Sequence, residues 1–187
     1  MAETLFRTLP IDGARQAAGQ HGRAALRAMP PTTQLAFRGQ GAAVDLAGAA
    51  FTVALPVTPC RAVGNETRAA LWLGPDEWLL LASEMDQSAI LAELAQVLEG
   101  VPHALLPISH RNVALEITGP DAALVLNSAC PLDLYPPAFP VGMCTRTILG
   151  KAQIVLWRTH ADRFHIIAWR SFAPYVWDIL VEARARL

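Results

Sequence analysis

Apolar and polar positions alternate most cleanly over residues 113–118, where Val113, Leu115 and Ile117 are separated by Ala114, Glu116 and Thr118. A period of two predicts a strand with one buried face. Gly119, Pro120 and Asp121 then make a turn, and Pro120 suits the first turn of a helix, where its missing N–H is no loss. The run LEITGPDAALVLNSAC (115–130) therefore predicts a strand, a glycine turn and a short apolar helix. An earlier run, LAFRGQGAAVDLAGAA (35–50), can be laid on it: Gly39 meets Gly119, Ala42-Ala43 meets Ala122-Ala123, and Leu46 meets Leu126.

The likeness continues downstream. AALWLGPDEWLLLA places Gly74, Pro75 and Asp76 between two apolar runs, which predicts a hairpin. After it, Ile90, Leu91, Leu94, Val97 and Leu98 form one helical stripe, stopped by Gly100 and Pro102. In the second half AQIVLWRTHADRFHIIAW turns around His160, Ala161 and Asp162. A helix is then expected from a cap at Ser171, with Phe172, Tyr175, Val176, Ile179, Leu180 and Ala183 at helical spacing and Pro174 in its first turn. Each half reads strand–helix–strand–strand–helix, most of a split βαβ unit, so the expected class is α+β with tandem ferredoxin-like units. The expected organisation is an N-terminal arm over residues 1–30, a first α+β half over 31–102 and a second over 103–187, the halves packed as one globular unit. Pro136, Pro137 and Pro140 mark a rigid loop.

Composition changes this picture in one respect. Hydrophobic residues make up 53% of the chain and charged residues only 17%, below the roughly 25% usual for globular domains. No apolar stretch approaches the roughly 20 residues of a membrane helix. The excess must lie in a core or against another protein, as in a permanent subunit; an Ala-rich monomer core is the other reading composition allows. A net charge of −1 argues against a nucleic-acid partner. Arg7, Arg15, Arg23, Arg27 and Arg38, spread among Ala and Gly, read as belonging to a solvated arm. The opening MAETLFRTLP shows no secretory signal pattern, and Cys60, Cys130 and Cys144 are few and widely spaced, so reduced thiols and a cytoplasmic location are expected.

Candidate chemistry is sparse. Ser109, His110 and Arg111 stand side by side, but neighbours on a strand face opposite ways, which separates a nucleophile from its base. Hydrogen bonds from Ser109 and His110 to backbone, and a carboxylate partner for Arg111, are expected instead. The five histidines and three cysteines show no zinc spacing, and GQGAAVDLAG lacks the third glycine of a dinucleotide loop. Asp76 and Glu77 read as solvated turn residues beside Trp78. Lys151, at the start of an apolar strand, invites an acidic partner across an interface or an anion.

The motifs SHRNVALEITGP (109–120), CPLDLYPPAFPVG (130–142), TILGKAQIVL (147–156), RSFAPYVWDIL (170–180) and LGPDEWLLL (73–81) together resemble the gamma subunits of heterotetrameric sarcosine oxidase, over most of residues 50–187. The resemblance implies a fold like the folate-binding domain of aminomethyltransferase, the glycine-cleavage T-protein. It implies membership of a complex that oxidatively demethylates sarcosine to glycine, giving hydrogen peroxide and methylene-tetrahydrofolate. It further implies partners in the alpha, beta and delta subunits, chiefly alpha, with flavins, NAD and zinc held by those partners and no cofactor, metal or catalytic residue in this chain. Ser109, His110, Arg111, Asp133 and Lys151 are then structural or interface candidates. The alternative is a stand-alone folate-binding protein that transfers one-carbon units. It would need a cleft walled by Trp72, Trp78, Trp157 and Trp169, with Asp133 or Glu116 on the pterin.

Overall fold

The computed structural model describes residues 10–11 and 23–187, so most of the expected arm, with Arg7 and Arg15, lies outside the described residues. Among the described residues ten strands form two five-stranded antiparallel sheets. One holds β2 (Thr32–Gly39), β3 (Ala62–Gly64), β4 (Ala69–Gly74), β5 (Glu77–Ser83) and β6 (His103–Pro107), in the order β3-β4-β5-β2-β6. The other holds β1 (Ala25–Ala28), β7 (Asn112–Thr118), β8 (Cys144–Leu149), β9 (Ala152–His160) and β10 (Arg163–Trp169), in the order β1-β7-β10-β9-β8. Helices α1 (Ala42–Ala50) and α2 (Gln87–Val97) cover the first sheet, and α3 (Ala122–Asn127) and α4 (Ala173–Ala185) the second.

Each half was one strand short of a complete split βαβ unit, and the structure supplies the missing strand from opposite directions. β6 follows α2 and closes the first unit against β2, with Leu35 opposite Pro107 and Phe37 opposite Leu105. Among the described residues no strand follows α4. Its place is taken by β1, which pairs with β7 in the equivalent register, Leu115 opposite Ala28 and Ile117 opposite Leu26. The expected boundaries shift accordingly: the first unit runs to Pro107, and the end of the supposed arm is a strand of the second unit. Duplication is visible down to single bonds. Gly39 N–H donates to Asp76 O at 3.2 Å and Gly119 N–H to Asp162 O at 2.9 Å; Ile108 N–H donates to Gln34 O at 2.8 Å and Met29 N–H to Ala114 O at 2.9 Å.

The alternation over 113–118 predicted one buried face, but residues 112–117 are all buried. Val113, Leu115 and Ile117 pack with Val125, Leu126, Val176 and Leu180 beneath α3 and α4. Ala114 faces the other way and joins Leu71, Leu79, Leu81, Cys144 and Ile167 between the two sheets. The molecule is thus layered α/β/β/α, with a core under each helix pair and a third between the sheets. Edge strands β3 and β8, absent from the sequence reading, bring the sheets together through the Arg61–Met143 bridge.

Helix α2 buries Ile90, Leu94 and Leu98 as its stripe predicts, and Gly100 at φ +73° ends the turn beyond it. Helix α4 differs at its start. Ser171 lies in a 3-10 turn (Arg170–Phe172) and makes no capping bond, while Pro174 sits in the first turn of α4 as expected. Gly119, at φ +115°, tolerates no side chain: a Cβ there would stand 2.2 Å from the Arg23 carbonyl oxygen.

Candidate functional site

Ser109, His110 and Arg111 connect β6 to β7, crossing from one sheet to the other, and their side chains part company. Ser109 is buried; its Oγ accepts from the Gln34 N–H at 2.9 Å and pairs with Gln87 Oε1 at 2.6 Å. Asn112 Nδ2 donates to Gln34 Oε1 at 3.0 Å, so β2, β7 and the first residue of α2 are tied in one polar knot. His110 is exposed, on the opposite side from Ser109 in accessibility and role. Among the described residues Arg111 has no carboxylate partner: its guanidinium lies over the Trp169 ring, 4.8 Å from the centroid. The trio is therefore not a nucleophile–base pair. One member locks the crossing and the other two face outward.

Glu77 and Glu116 are both ion-paired. Glu77 is not a solvated turn residue. Its carboxylate accepts from Arg38 on β2 at 2.8 Å and is chelated by Arg146 on β8, so a single acid joins the two sheets. The Arg146 hydrogen bond, with the charge of Arg38, holds the Glu77 carboxyl below the usual range although burial opposes this. At the other end Glu116, with its side chain 8% exposed, takes Arg27 of β1 at 2.7 Å and has Arg163 at 3.9 Å. Arg23 also has a carboxylate partner, Asp121 at 3.5 Å. Of the supposed arm arginines, Arg23, Arg27 and Arg38 are thus ion-paired. His165 lies across from Glu116 on β10, its ring 6.0 Å from that of Trp157. Desolvation pushes its pKa down to about 4, against the opposing pull of Glu116.

Asp133 accepts from the Tyr135 N–H at 2.9 Å and shapes the proline loop. Lys151 is exposed on the β8–β9 turn, where its backbone N–H reaches the Tyr175 hydroxyl at 3.1 Å; among the described residues it has no acidic partner. Sequence reasoning missed Arg158. This arginine is 4% exposed, donates to the carbonyls of Phe139 at 2.9 Å, Leu134 at 3.2 Å and Ala161, and stacks over Phe164. It pins the proline loop to the second sheet. The signal was present: Ala152, Ile154 and Leu156 are the inward positions of β9, and an arginine at the next such position breaks the pattern.

The four tryptophans do not wall one cleft. Trp78 is buried beneath the helices of the first unit, where its Nε1–H donates to Pro56 O at 2.8 Å, and Trp72 packs on the same core. Trp157 lies between the sheets and Trp169 on the surface. The inter-sheet cavity near Glu77, Arg111, Arg146 and Trp169 measures about 100 Å³, against roughly 300 Å³ and upward for small-molecule pockets. Among the described residues no three His, Cys, Asp or Glu side chains are grouped for a metal ion. None of their helices is long and apolar enough to cross a membrane. Cys60, Cys130 and Cys144 are free thiols, and burial pushes Cys144 up to about 12.

Two split βαβ units packed sheet to sheet define an aminomethyltransferase-like fold. The glycine cleavage system aminomethyltransferase T from Bartonella henselae superposes with a TM-score of 0.68 over 88% of this chain and 47% of its own, at 20% identity, a likeness of fold alone. A closer likeness is to a chain of heterotetrameric sarcosine oxidase from Corynebacterium sp. U-96, solved with pyrrole 2-carboxylate: TM-score 0.89, 34% identity, 96% of this chain and 95% of that one. Residues 38–186 match the sarcosine oxidase, gamma subunit family, and the chain belongs to that family. Sarcosine oxidase subunit gamma of Corynebacterium sp. (strain P-1) is 37% identical over 87% of this chain and 80% of its own length. That of Arthrobacter sp. is 34% identical over 96% and 91%. The match therefore begins upstream of residue 50, where the motifs placed it.

Proposed function

We propose that this chain is the gamma subunit of a heterotetrameric sarcosine oxidase, and that it shapes and stabilises the complex without taking part in its chemistry. In this reading the alpha, beta and delta subunits are its partners, chiefly alpha. They carry the flavins, NAD and zinc, and the assembled cytoplasmic enzyme oxidatively demethylates sarcosine to glycine. The observation that carries the reading is the near end-to-end superposition on a chain of the Corynebacterium enzyme. The use of the polar groups supports it: Ser109, Glu77, Glu116 and Arg158 are each engaged in joining strands or pinning loops.

The test is co-expression with the candidate partner subunits, with a tag on the largest. This chain is expected in the flavin-bearing complex at one copy per complex; its absence would refute the reading. Tetrahydrofolate titration of the isolated chain, followed by Trp fluorescence, addresses the folate-binding alternative. No saturable response is expected, because the aromatic side chains that would stack on a pterin are divided among three regions of the fold.

A further inference from the structure

We infer that a surface ledge built by Arg111, Trp169 and Phe172 receives a carboxylate-bearing segment of a partner subunit. The inference rests on the reading of the chain as a subunit, and it names a docking surface for that subunit.

The ledge lies where β10 ends and the 3-10 turn Arg170–Phe172 leads into α4. Trp169 is 40% and Phe172 37% exposed, their rings 6.3 Å apart. Pro10, His110 and Pro174 complete an open groove. Among the described residues lining this groove the charged ones are Arg111 and Arg170; Arg170 is already engaged, which leaves Arg111 as the cation that meets a partner. Arg111 is poised for an anion. The face of its guanidinium is taken by the Trp169 ring, so the in-plane N–H donors are the ones left for a partner, and they bond no other described residue. A planar fork of donors with its face stacked on an aromatic ring matches the two oxygens of a carboxylate. The aromatic rings beside it suit the apolar part of the same segment, as in the centres of protein interfaces, where Trp and Arg are enriched.

The duplication provides an internal comparison. In the first unit the same backbone carries Pro31 before β2, Ser83 at the end of β5, and a 3-10 turn Glu84–Asp86 ahead of α2. By the register of the two units, Pro31 stands for Arg111, Ser83 for Trp169 and Asp86 for Phe172. The first unit folds this corner with small and acidic residues, so the fold itself does not call for an arginine and two exposed aromatics. Surface aromatics that the architecture does not require point to recognition.

The experiment uses the full chain co-expressed with its partner subunits. Trp169→Ser with Phe172→Asp installs the first unit's own residues, Arg111→Glu reverses the exposed charge, and Met85→Arg alters an 88% exposed position at the counterpart corner. Circular dichroism and denaturant midpoints check that each chain folds. The double variant and R111E are each expected to weaken assembly at least ~10-fold, wild-type assembly is expected to weaken with added salt, and M85R is expected to assemble normally. R111E changes one exposed side chain, so it stands as a test even if the double variant is unstable. If wild-type chain does not co-purify with flavin-bearing partners, the subunit reading itself fails. If wild-type assembles and R111E assembles equally well, the ledge proposal alone is overturned. Equal loss in M85R, or loss in the double variant without loss in R111E, also overturns it. So does a self-associated dimer that R111E dissolves while assembly is intact.

Discussion

Leu26→Ala separates a flexible arm from a strand. Leu26 is 2% exposed, lies opposite Ile117 on β7, and packs in the core beneath α3 and α4. Truncation removes three carbon atoms, worth about 2.4 kcal/mol of transfer at roughly 0.8 kcal/mol each. A cavity penalty adds to this, and comparable Leu→Ala changes cost about 2–5 kcal/mol in all. A residue of a solvated arm would cost less than about 0.5 kcal/mol. Urea unfolding of the full chain gives the difference directly, and amide exchange locates it: protection should fall first in β7, around Leu115–Ile117, rather than in β2. A loss under about 1 kcal/mol with native protection in β7 would refute the placement of β1.

Three further outcomes follow from particular groups. Glu77→Gln should cost about 1–2 kcal/mol in denaturant unfolding, allowing for the partial exposure of both arginines. Because Glu77 titrates below its ordinary range in the fold, its contribution is present at neutral pH and is lost as pH falls through that lowered value, so the variant should also lose acid sensitivity below about pH 4. His165 is held neutral, with a folded value of about 4 against 6.5. Between those values the unfolded chain binds a proton that the folded chain does not, so stability should fall by about 3 kcal/mol as pH drops through this window; His165→Asn with an unchanged slope would contradict this. Gly119→Ala should destabilise by more than about 2 kcal/mol, since positive φ and the Arg23 carbonyl both oppose a side chain, and a neutral thermal melt would be inconsistent with that geometry.

The duplicated hairpins, the α2 stripe and the proline loop were legible because each is encoded locally, by period and by turn residues. The strands that close the two sheets were not. β1 and β6 are four and five residues long, too short to show a period, and their pairing depends on contacts far away in sequence. β1 carries a single fully buried leucine between arginine-rich neighbours, which reads as arm. Likewise, alternation in β7 reveals a face toward helices but says nothing of a second sheet, because Ala114 and Glu116 are equally at home near water. Glu77 was misjudged for a related reason: Arg38 stands opposite it only once β2 pairs with β5, and Arg146 lies on a strand of the other sheet that only the sheet-on-sheet packing brings near. At the outward corner, sequence singled out Arg111 but paired it with an acid. The tryptophan it stacks on comes from the end of a different strand.

The placement of β1 has a consequence for synthesis. Arg27 and Glu116 are 89 residues apart, so β1 leaves the ribosome long before its neighbour exists, and α4 must also form before the sheet beneath it is covered. Folding of the C-terminal unit therefore waits until α4 has been made, with Leu26 and its surroundings unprotected meanwhile. A nascent chain in that condition is open to capture by chaperones or to clumping with its siblings, and production of the protein should respond more to the rate of elongation than its modest size would suggest.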